Sequence, residues 1–256
     1  MTMMKRFSLV TAGLIATAVA LTPASAVASI VELGQTSPTP IVSPSCPKGV
    51  APSQCFIILT RTTAVQTTSD GVAYPTTVKK DGWIVAFTAG LSQLSTDAKT
   101  EKNYLHILDQ AYGGTPQLAI TVLQPGPKHK FTVTAQSQTF HLIPFLGQVL
   151  QEPLSMPPTF TQFTALPVKK GDVIGLTVPT WAPVLSYNLN ATKFAYRQSR
   201  MGNCKNAAAT ETAQTTIGAS TRYLCDYTGT RVEYSATEVV NNSYPKTYVH
   251  GRRHTR

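Results

Sequence analysis

The stretch "FTALPVKKGDVIGLTVPTWAPVL", residues 163–185, shows most clearly how this chain folds. Its second half alternates two sets of side chains over residues 173–178, the period of two expected of a β-strand. Gly171 can adopt a positive φ, and the short carboxylate of Asp172 can bond nearby backbone amides. We therefore predict that Lys169–Asp172 is the turn of a β-hairpin rather than a catalytic site.

Similar runs recur along the chain on both sides of this stretch. In residues 130–140, for example, Phe131, Val133 and Ala135 alternate with polar residues. The other runs cover residues 56–66, 83–91, 117–125 and 221–240. Period-two alternation interrupted by turn residues is typical of an antiparallel β-sandwich or barrel. We predict an all-β fold, an antiparallel β-sandwich over residues 55–242.

Residues 95–114 break this pattern. Tyr104, Leu105 and Leu108 follow each other at helical spacing, and Ala111 and Tyr112 continue the same face. Asp97 is a suitable N-cap and Gly113 a suitable C-cap for a helix between them. The segment predicts one short helix within the β fold.

The N-terminal part of the chain has two distinct compositions. Residues 1–26 carry Lys5 and Arg6, then an uncharged apolar run, then Ala24-Ser25-Ala26, the plan of a secretory signal peptide. Residues 27–54 form a lead-in rich in Pro, Ser and Thr, which excludes a central strand because proline lacks a backbone donor. We expect a secreted or extracellular protein, in which the lead-in is extended.

The four cysteines have an even count, which in an exported chain predicts disulfide bonds. Three pairings are possible. We favour the two local ones, Cys46–Cys55 and Cys204–Cys225. The alternative is a four-thiolate zinc site, which is disfavoured because neither pair has the short spacing of such sites.

Part of the chain resembles known families. The line "LPVKKGDVIGL", residues 166–176, is similar to a recurrent strand–turn–strand of jelly-roll β-sandwich modules. The run from Asp81 to Pro183 resembles an uncharacterised group of exported actinobacterial proteins through "DGWIVAF", "YGGTPQLAITVLQP" and "GDVIGLTVPTWAP". The first resemblance implies a jelly-roll-like sandwich, and the second implies no activity. A fold shared by lectins, cytokines and enzymes does not specify a function.

Motifs for catalysis, metals and cofactors are missing from the sequence. There is no G-x-S-x-G, no H-E-x-x-H and no phosphate-binding glycine loop, and the histidines are scattered. We expect no metal and no cofactor. Two carboxylates distant in sequence would suffice for a glycoside hydrolase, so the sequence favours a non-catalytic protein without excluding an enzyme.

One aromatic residue is a candidate for ligand binding. Trp181 lies between Pro179 and Pro183, which would hold a displayed indole stiffly, and a flat ring can stack on a sugar. Tyr187 and Asn188 follow and can supply hydrogen bonds. The alternative is that Trp181 completes the sandwich core. Trp83, within a strand-like run, is expected to be a core residue.

The net charge is +10, or +8 without Lys5 and Arg6, and half of this +8 lies near the C-terminus. Lys246, Arg252, Arg253 and Arg256 lie in residues 243–256, which we expect to be a basic flexible tail. Such a tail is attracted to anionic cell-wall polymers, whereas we do not expect nucleic acid to be the partner. Three hypotheses remain: a non-catalytic binder of carbohydrate or envelope polymer, a secreted polysaccharide hydrolase, and a structural or interaction protein of the envelope.

Overall fold

The structure, a computed structural model, describes residues 29–36, 38–45, 57–154, 165–202, 204 and 211–240. Within these residues it contains one α-helix and a series of β-strands. The helix is α1, Ala98–Tyr112. The strands are β1 Ser29–Leu33, β2 Leu59–Ser69, β3 Val72–Ala73, β4 Gly82–Gly90, β5 Gln117–Gly126, β6 Lys130–Gln136, β7 Phe140–His141, β8 Val149–Pro153, β9 Leu166–Val168, β10 Val173–Ala182, β11 Leu185–Ser186, β12 Ala195–Gln198, β13 Ser220–Arg222, β14 Cys225–Thr228, β15 Arg231–Val232 and β16 Tyr234–Val240.

The strands form two large antiparallel sheets and a small ribbon. The first sheet has the order β1-β16-β4-β8, with β9 also paired to β4. The second has the order β13-β6-β5-β10-β2-β12-β14, with β3 on β2 and β7 on β5. Strands β11 and β15 pair only with each other in the described part of the chain. The prediction of an all-β, antiparallel, sandwich-like fold is confirmed.

The hairpin predicted over residues 163–185 is wrong, although its turn is present. Strand β9 pairs with β4 in the first sheet, whereas β10 pairs with β2 and β5 in the second. The turn between them therefore passes from one sheet to the other. Within it the Asp172 amide donates to the Lys169 carbonyl over 3.0 Å, and Gly171 has a φ of +96°. Local turn chemistry is the same in both arrangements, so the sequence did not distinguish them.

The central strands of the second sheet, β2, β5 and β10, are largely buried on both faces because the sheet curls into a half-barrel. One face packs on the first sheet in a core that includes Ile84, Phe87 and Leu176. The other face encloses a smaller core of six residues: Val65, Leu123, Phe131, Val133, Val173 and Tyr223. Strand β10 is buried along almost its whole length, and a Cβ at Gly175 would lie 2.8 Å from the Leu123 side chain. Close strand packing at this point thus requires a glycine.

Helix α1 has the predicted caps. The Asp97 side chain accepts a hydrogen bond from the Thr100 amide, and Gly113 ends the helix with a φ of +82°. None of its side chains is fully buried, so the helix lies on the surface of the sandwich, where it contacts strand β10. No helix in the described ranges is long and apolar enough to cross a membrane.

Part of the predicted lead-in belongs to the first sheet. Ser29–Leu33 forms its edge strand, and the following segment is held down by Arg231, which donates to the carbonyls of Thr39 and Pro40. The predicted disulfide Cys204–Cys225 is present. The predicted signal peptide, the Cys46–Cys55 pair and the tail 243–256 lie outside the described residues.

Candidate functional site

Trp181 does not form the binding site proposed from the sequence. It lies within strand β10 and is 0% exposed, so the expectation that a stiff loop displays its indole is wrong. Its Nε1 donates to Asp109 Oδ1 over 3.0 Å and to the Gly114 carbonyl over 3.1 Å. The indole thereby anchors helix α1 to the sheet, as in the alternative that placed it in the core.

The other two candidates are not joined to Trp181 by a described contact. Tyr187 is half-buried, and its hydroxyl has no hydrogen-bond partner among the described residues. Asn188 is exposed with a φ of +61°. The adjacent Leu189 amide bonds to Gly229, at the turn after β14, whereas Trp181 bonds to the helix. Trp83, expected in the core, is only half-buried on β4.

Three separate turns bring lysine pairs to one end of the sandwich. Six of the nine lysines in the described ranges lie there, and all six are exposed. We call this group the lysine end: Lys79, Lys80, Lys128, Lys130, Lys169 and Lys170. The first pair precedes β4, the second flanks the β5–β6 turn, and the third lies in the β9–β10 turn.

Hydrogen bonds and register fix these turns against one another. The Gly171 amide donates to the Val78 carbonyl over 2.9 Å, which places the third pair beside the first. Strand β10 starts opposite the end of β5, with Val173 facing Leu123, which places the third pair beside the second. The antiparallel topology thus concentrates charge that is dispersed in the sequence.

A cleft of about 270 Å³ lies within the lysine end. It is lined by Tyr74, Thr77, Pro125, Gly126, His129, Phe131, Gly171 and Val173. Tyr74 packs on the smaller core, and Phe131 lies with its ring centre 4.7 Å from that of Tyr223. The cleft therefore has an apolar and aromatic wall, while lysines adjoin the lining residues His129 and Gly171 along the chain.

The carboxylates of these turns are bound to backbone amides. Asp81 Oδ1 accepts from the Lys170 amide and Asp172 Oδ2 from the Lys169 amide, each over 2.8 Å. Burial raises the pKa of Asp172 above its ordinary value; the Lys169 hydrogen bond and charge oppose this, and Asp81 adds to it. Both carboxylates shape the lysine turn, and the six ammonium groups outnumber them.

A third carboxylate, Glu238, lies beneath the same end. It is 1% exposed, and its Oε1 has no hydrogen-bond partner among the described residues. Burial, and then the charge of Asp81, raise the pKa of Glu238. Glu238 lines neither of the two cavities described here.

The backbone around the cleft contains residues in an uncommon conformation. Tyr74 has a φ of +44°, and Lys128 and His129 each have a φ of +56°. A non-glycine residue in this region costs on the order of 1 kcal/mol. Such conformations persist only where the surrounding structure enforces them, and they cluster at binding sites. Their presence here supports the cleft as a candidate binding site.

A second hollow, of about 620 Å³, lies on the half-barrel side and is lined by residues 199–202, 211–216 and 219–221. The buried guanidinium of Arg200 at its wall donates to Gln198 and to the Thr60 carbonyl, and so serves the sheet. Among the described residues, its lining includes a single carboxylate, Glu211, and the cleft at the lysine end includes none. The described lining of neither cavity therefore contains the carboxylate pair of a glycoside hydrolase. No group of three or more potential metal ligands occurs among the described residues.

The sequence carries a signal for the lysine end in three basic turns. "VKKDG" at 78–82 and "VKKGD" at 168–172 are near-identical, and "PKHK" at 127–130 is a third basic turn. Each is an ordinary solvated turn when read alone. Only the pairing of strands shows that all three lie at the same end.

No protein-family model matches this chain, and neither the curated proteins nor the solved structures include a significant match.

Proposed function

We propose that this protein is a secreted, non-catalytic β-sandwich protein that binds an anionic, sugar-based polymer of the cell envelope through the lysine end. One observation carries the proposal: lysine pairs from three turns meet around a cleft, while the carboxylates of those turns are occupied by backbone amides. Six ammonium groups against the two carboxylates of Asp81 and Asp172 leave this end with a net positive charge.

The physical basis is electrostatic attraction repeated along a polymer. A single exposed lysine–anion contact contributes little in water. A polymer that presents an anionic group on each repeat can contact several of the six lysines at once, so that the contacts reinforce one another. Binding of this kind weakens as salt rises, because exposed charges are screened over about 8–10 Å at physiological ionic strength.

Secretion is supported by two features of the chain. Residues 1–26 have the plan of a signal peptide, and the Cys204–Cys225 disulfide suits an oxidising compartment.

The test compares binding to polygalacturonate, which is anionic, and to dextran, which is neutral. We expect retention on the first only, weakened roughly tenfold or more between 50 and 300 mM salt. The variant K128A/K130A/K169A/K170A should lose most of this binding. K99A/K102A, which removes two exposed lysines from helix α1, should retain it. Equal loss in both variants, or binding that ignores salt, would contradict the proposal.

A structural protein of the envelope is the second candidate, and one observation favours it. Strand β16 ends at Val240, whose neighbour Val239 pairs with Trp83 just after Asp81. Val240, the last described residue, therefore lies at the lysine end, and the basic residues 243–256 follow it in the sequence. In that case the same end would serve as a permanent attachment point.

A further inference from the structure

We infer that the cleft within the lysine end accommodates one acidic pyranose unit of the polymer, a sugar ring that carries its own carboxylate. The inference rests on the proposed function and adds to it the chemical class of the repeating unit. It is carried by the size of the cleft, by its aromatic wall and by the position of the lysines around it.

The size of the cleft suits a single ring. Pockets for drug-sized ligands have volumes of about 300–1,000 Å³. At about 270 Å³ the cleft lies just below this range, so it fits a smaller group such as one pyranose. Gly126 and Gly171, on two sides of the cleft, add no side chains, and a Cβ at Gly171 would have nothing within 4 Å. The cleft therefore stays open to solvent at the turn.

The wall of the cleft has the chemistry that sugar rings bind. The Tyr74 ring is half-buried and rests on the smaller core, so it is held in place before a ligand arrives. Its backbone is fixed as well, since its amide donates to the Thr67 carbonyl over 2.8 Å and its carbonyl accepts from Thr77 over 3.0 Å. The axial C–H groups of a pyranose pack on such a ring with little loss of side-chain entropy. Thr77 adds a hydroxyl at the same wall.

The lysines specify an acidic rather than a neutral sugar. Lys128 and Lys130 flank the lining residue His129, and Lys170 precedes the lining residue Gly171. A neutral sugar would leave these charges unused. A polyanion without rings, such as polyphosphate, would leave the apolar wall unused. An acidic sugar matches both features.

A single-stranded nucleic acid fits the cleft less well. Nucleic-acid grooves expose several aromatic rings on which successive bases stack. The cleft offers one tyrosine, with Phe131 buried behind it at 3% exposure. Binding of oligo-dT more tightly than an acidic oligosaccharide would overturn the inference.

The experiment measures three oligomers of similar charge: hexagalacturonate, hexameric polyphosphate and an oligo-dT. We expect the protein to bind hexagalacturonate roughly tenfold more tightly than polyphosphate, since a buried ring contact is worth about one factor of ten. Tyr74→Leu, which removes the aromatic face and keeps an apolar side chain, should abolish this preference and leave polyphosphate binding unchanged. Tyr74→Phe should keep it.

The outcomes separate the inference from the proposed function. Equal weakening of both ligands by Tyr74→Leu, or no weakening of either, overturns the sugar cleft and leaves the lysine end as a general polyanion site. Failure of the unmodified protein to bind any of the three ligands overturns the proposed function itself. If Tyr74→Leu does not fold, saturation-transfer NMR on the unmodified protein replaces this variant. We then expect saturation to pass from the aromatic protons of the protein to the ring protons of hexagalacturonate. Absence of this transfer would overturn the proposal that the cleft binds a sugar ring.

Discussion

Gly171 combines an unusual backbone conformation with open space around it. Its φ is +96°, and a Cβ there would have nothing within 4 Å. Gly171→Ala should therefore destabilise the protein by about 1 kcal/mol through backbone strain alone, without a steric clash. Chemical unfolding measures this difference. Gly202→Ala is the matched control, since that glycine also has open space around it but no positive φ, and it should be neutral or slightly stabilising. A loss at both positions would contradict the account of the turn.

Glu238 makes the stability of the fold depend on pH in a defined direction. Burial raises its pKa above the ordinary value of 4.5, so the folded state holds this proton more tightly than the unfolded state. This difference in proton binding stabilises the folded state fully below pH 4.5, and the stabilisation is lost as the pH rises through the pKa of Glu238 in the folded protein. Glutamine carries no charge at any pH, so Glu238→Gln avoids the loss of stability at high pH. The variant should unfold at a higher temperature than the unmodified protein at pH 7 but not at pH 4.

Thermal unfolding at several pH values checks this prediction. Glu211→Gln removes the same charge at an exposed position and should not reproduce the effect. If Glu238→Gln were less stable at pH 7, Glu238 would have to contribute a stabilising interaction that outweighs its burial.

At the scale of elements, helix α1 depends on one indole. Trp181 donates to Asp109 and to Gly114, at the C-terminal end of the helix, and no side chain of the helix is fully buried. Trp181→Phe should cost about 2–4 kcal/mol, because two hydrogen bonds are lost from a buried site and a small cavity is left. Hydrogen exchange should accelerate in α1 more than in β5 or β10. Asp109→Asn keeps an acceptor oxygen and should have a smaller effect; similar rates in helix and sheet would indicate that the helix has other anchors.

The elements that the sequence predicted correctly are those determined by local chemistry. Asp97 and Gly113 cap the helix as their residue types indicate. Phe131, Val133 and Ala135 are all buried because alternation on a strand is a local property, although Phe131 and Val133 lie in the smaller core and Ala135 in the main one. Trp181 lies within strand β10 although the neighbouring Pro179 predicts a loop. The strand instead accommodates that proline at a register shift between Val178 and Trp181, where a missing amide is tolerated.

At the scale of the whole molecule, the sequence pattern does not show which strands pair with each other. Whether the Lys169–Asp172 turn closes a hairpin or joins two sheets depends on β4 and β5, which are distant in sequence. The lysine end could not be predicted from the sequence for the same reason. Each basic turn is an ordinary solvated turn by itself, and only the pairing of the strands brings the three together. Period-two patterns fix which side of a strand faces the core, and they leave open which strand is its neighbour.

The basic segment that follows β16 should act together with the lysine end. Val240 lies at that end, paired with Ser29, and the segment beyond it carries Lys246, Arg252, Arg253 and Arg256. Deleting residues 246–256 should weaken binding to polygalacturonate by about tenfold or more and make it less sensitive to salt, because fewer ionic contacts form along one polymer. The unfolding midpoint should not change. Replacing the four basic residues with serine in a chain of full length separates charge from length. If the serine variant binds like the full chain while the deletion does not, the segment acts through its length or its contacts, and its charge is not what holds the polymer.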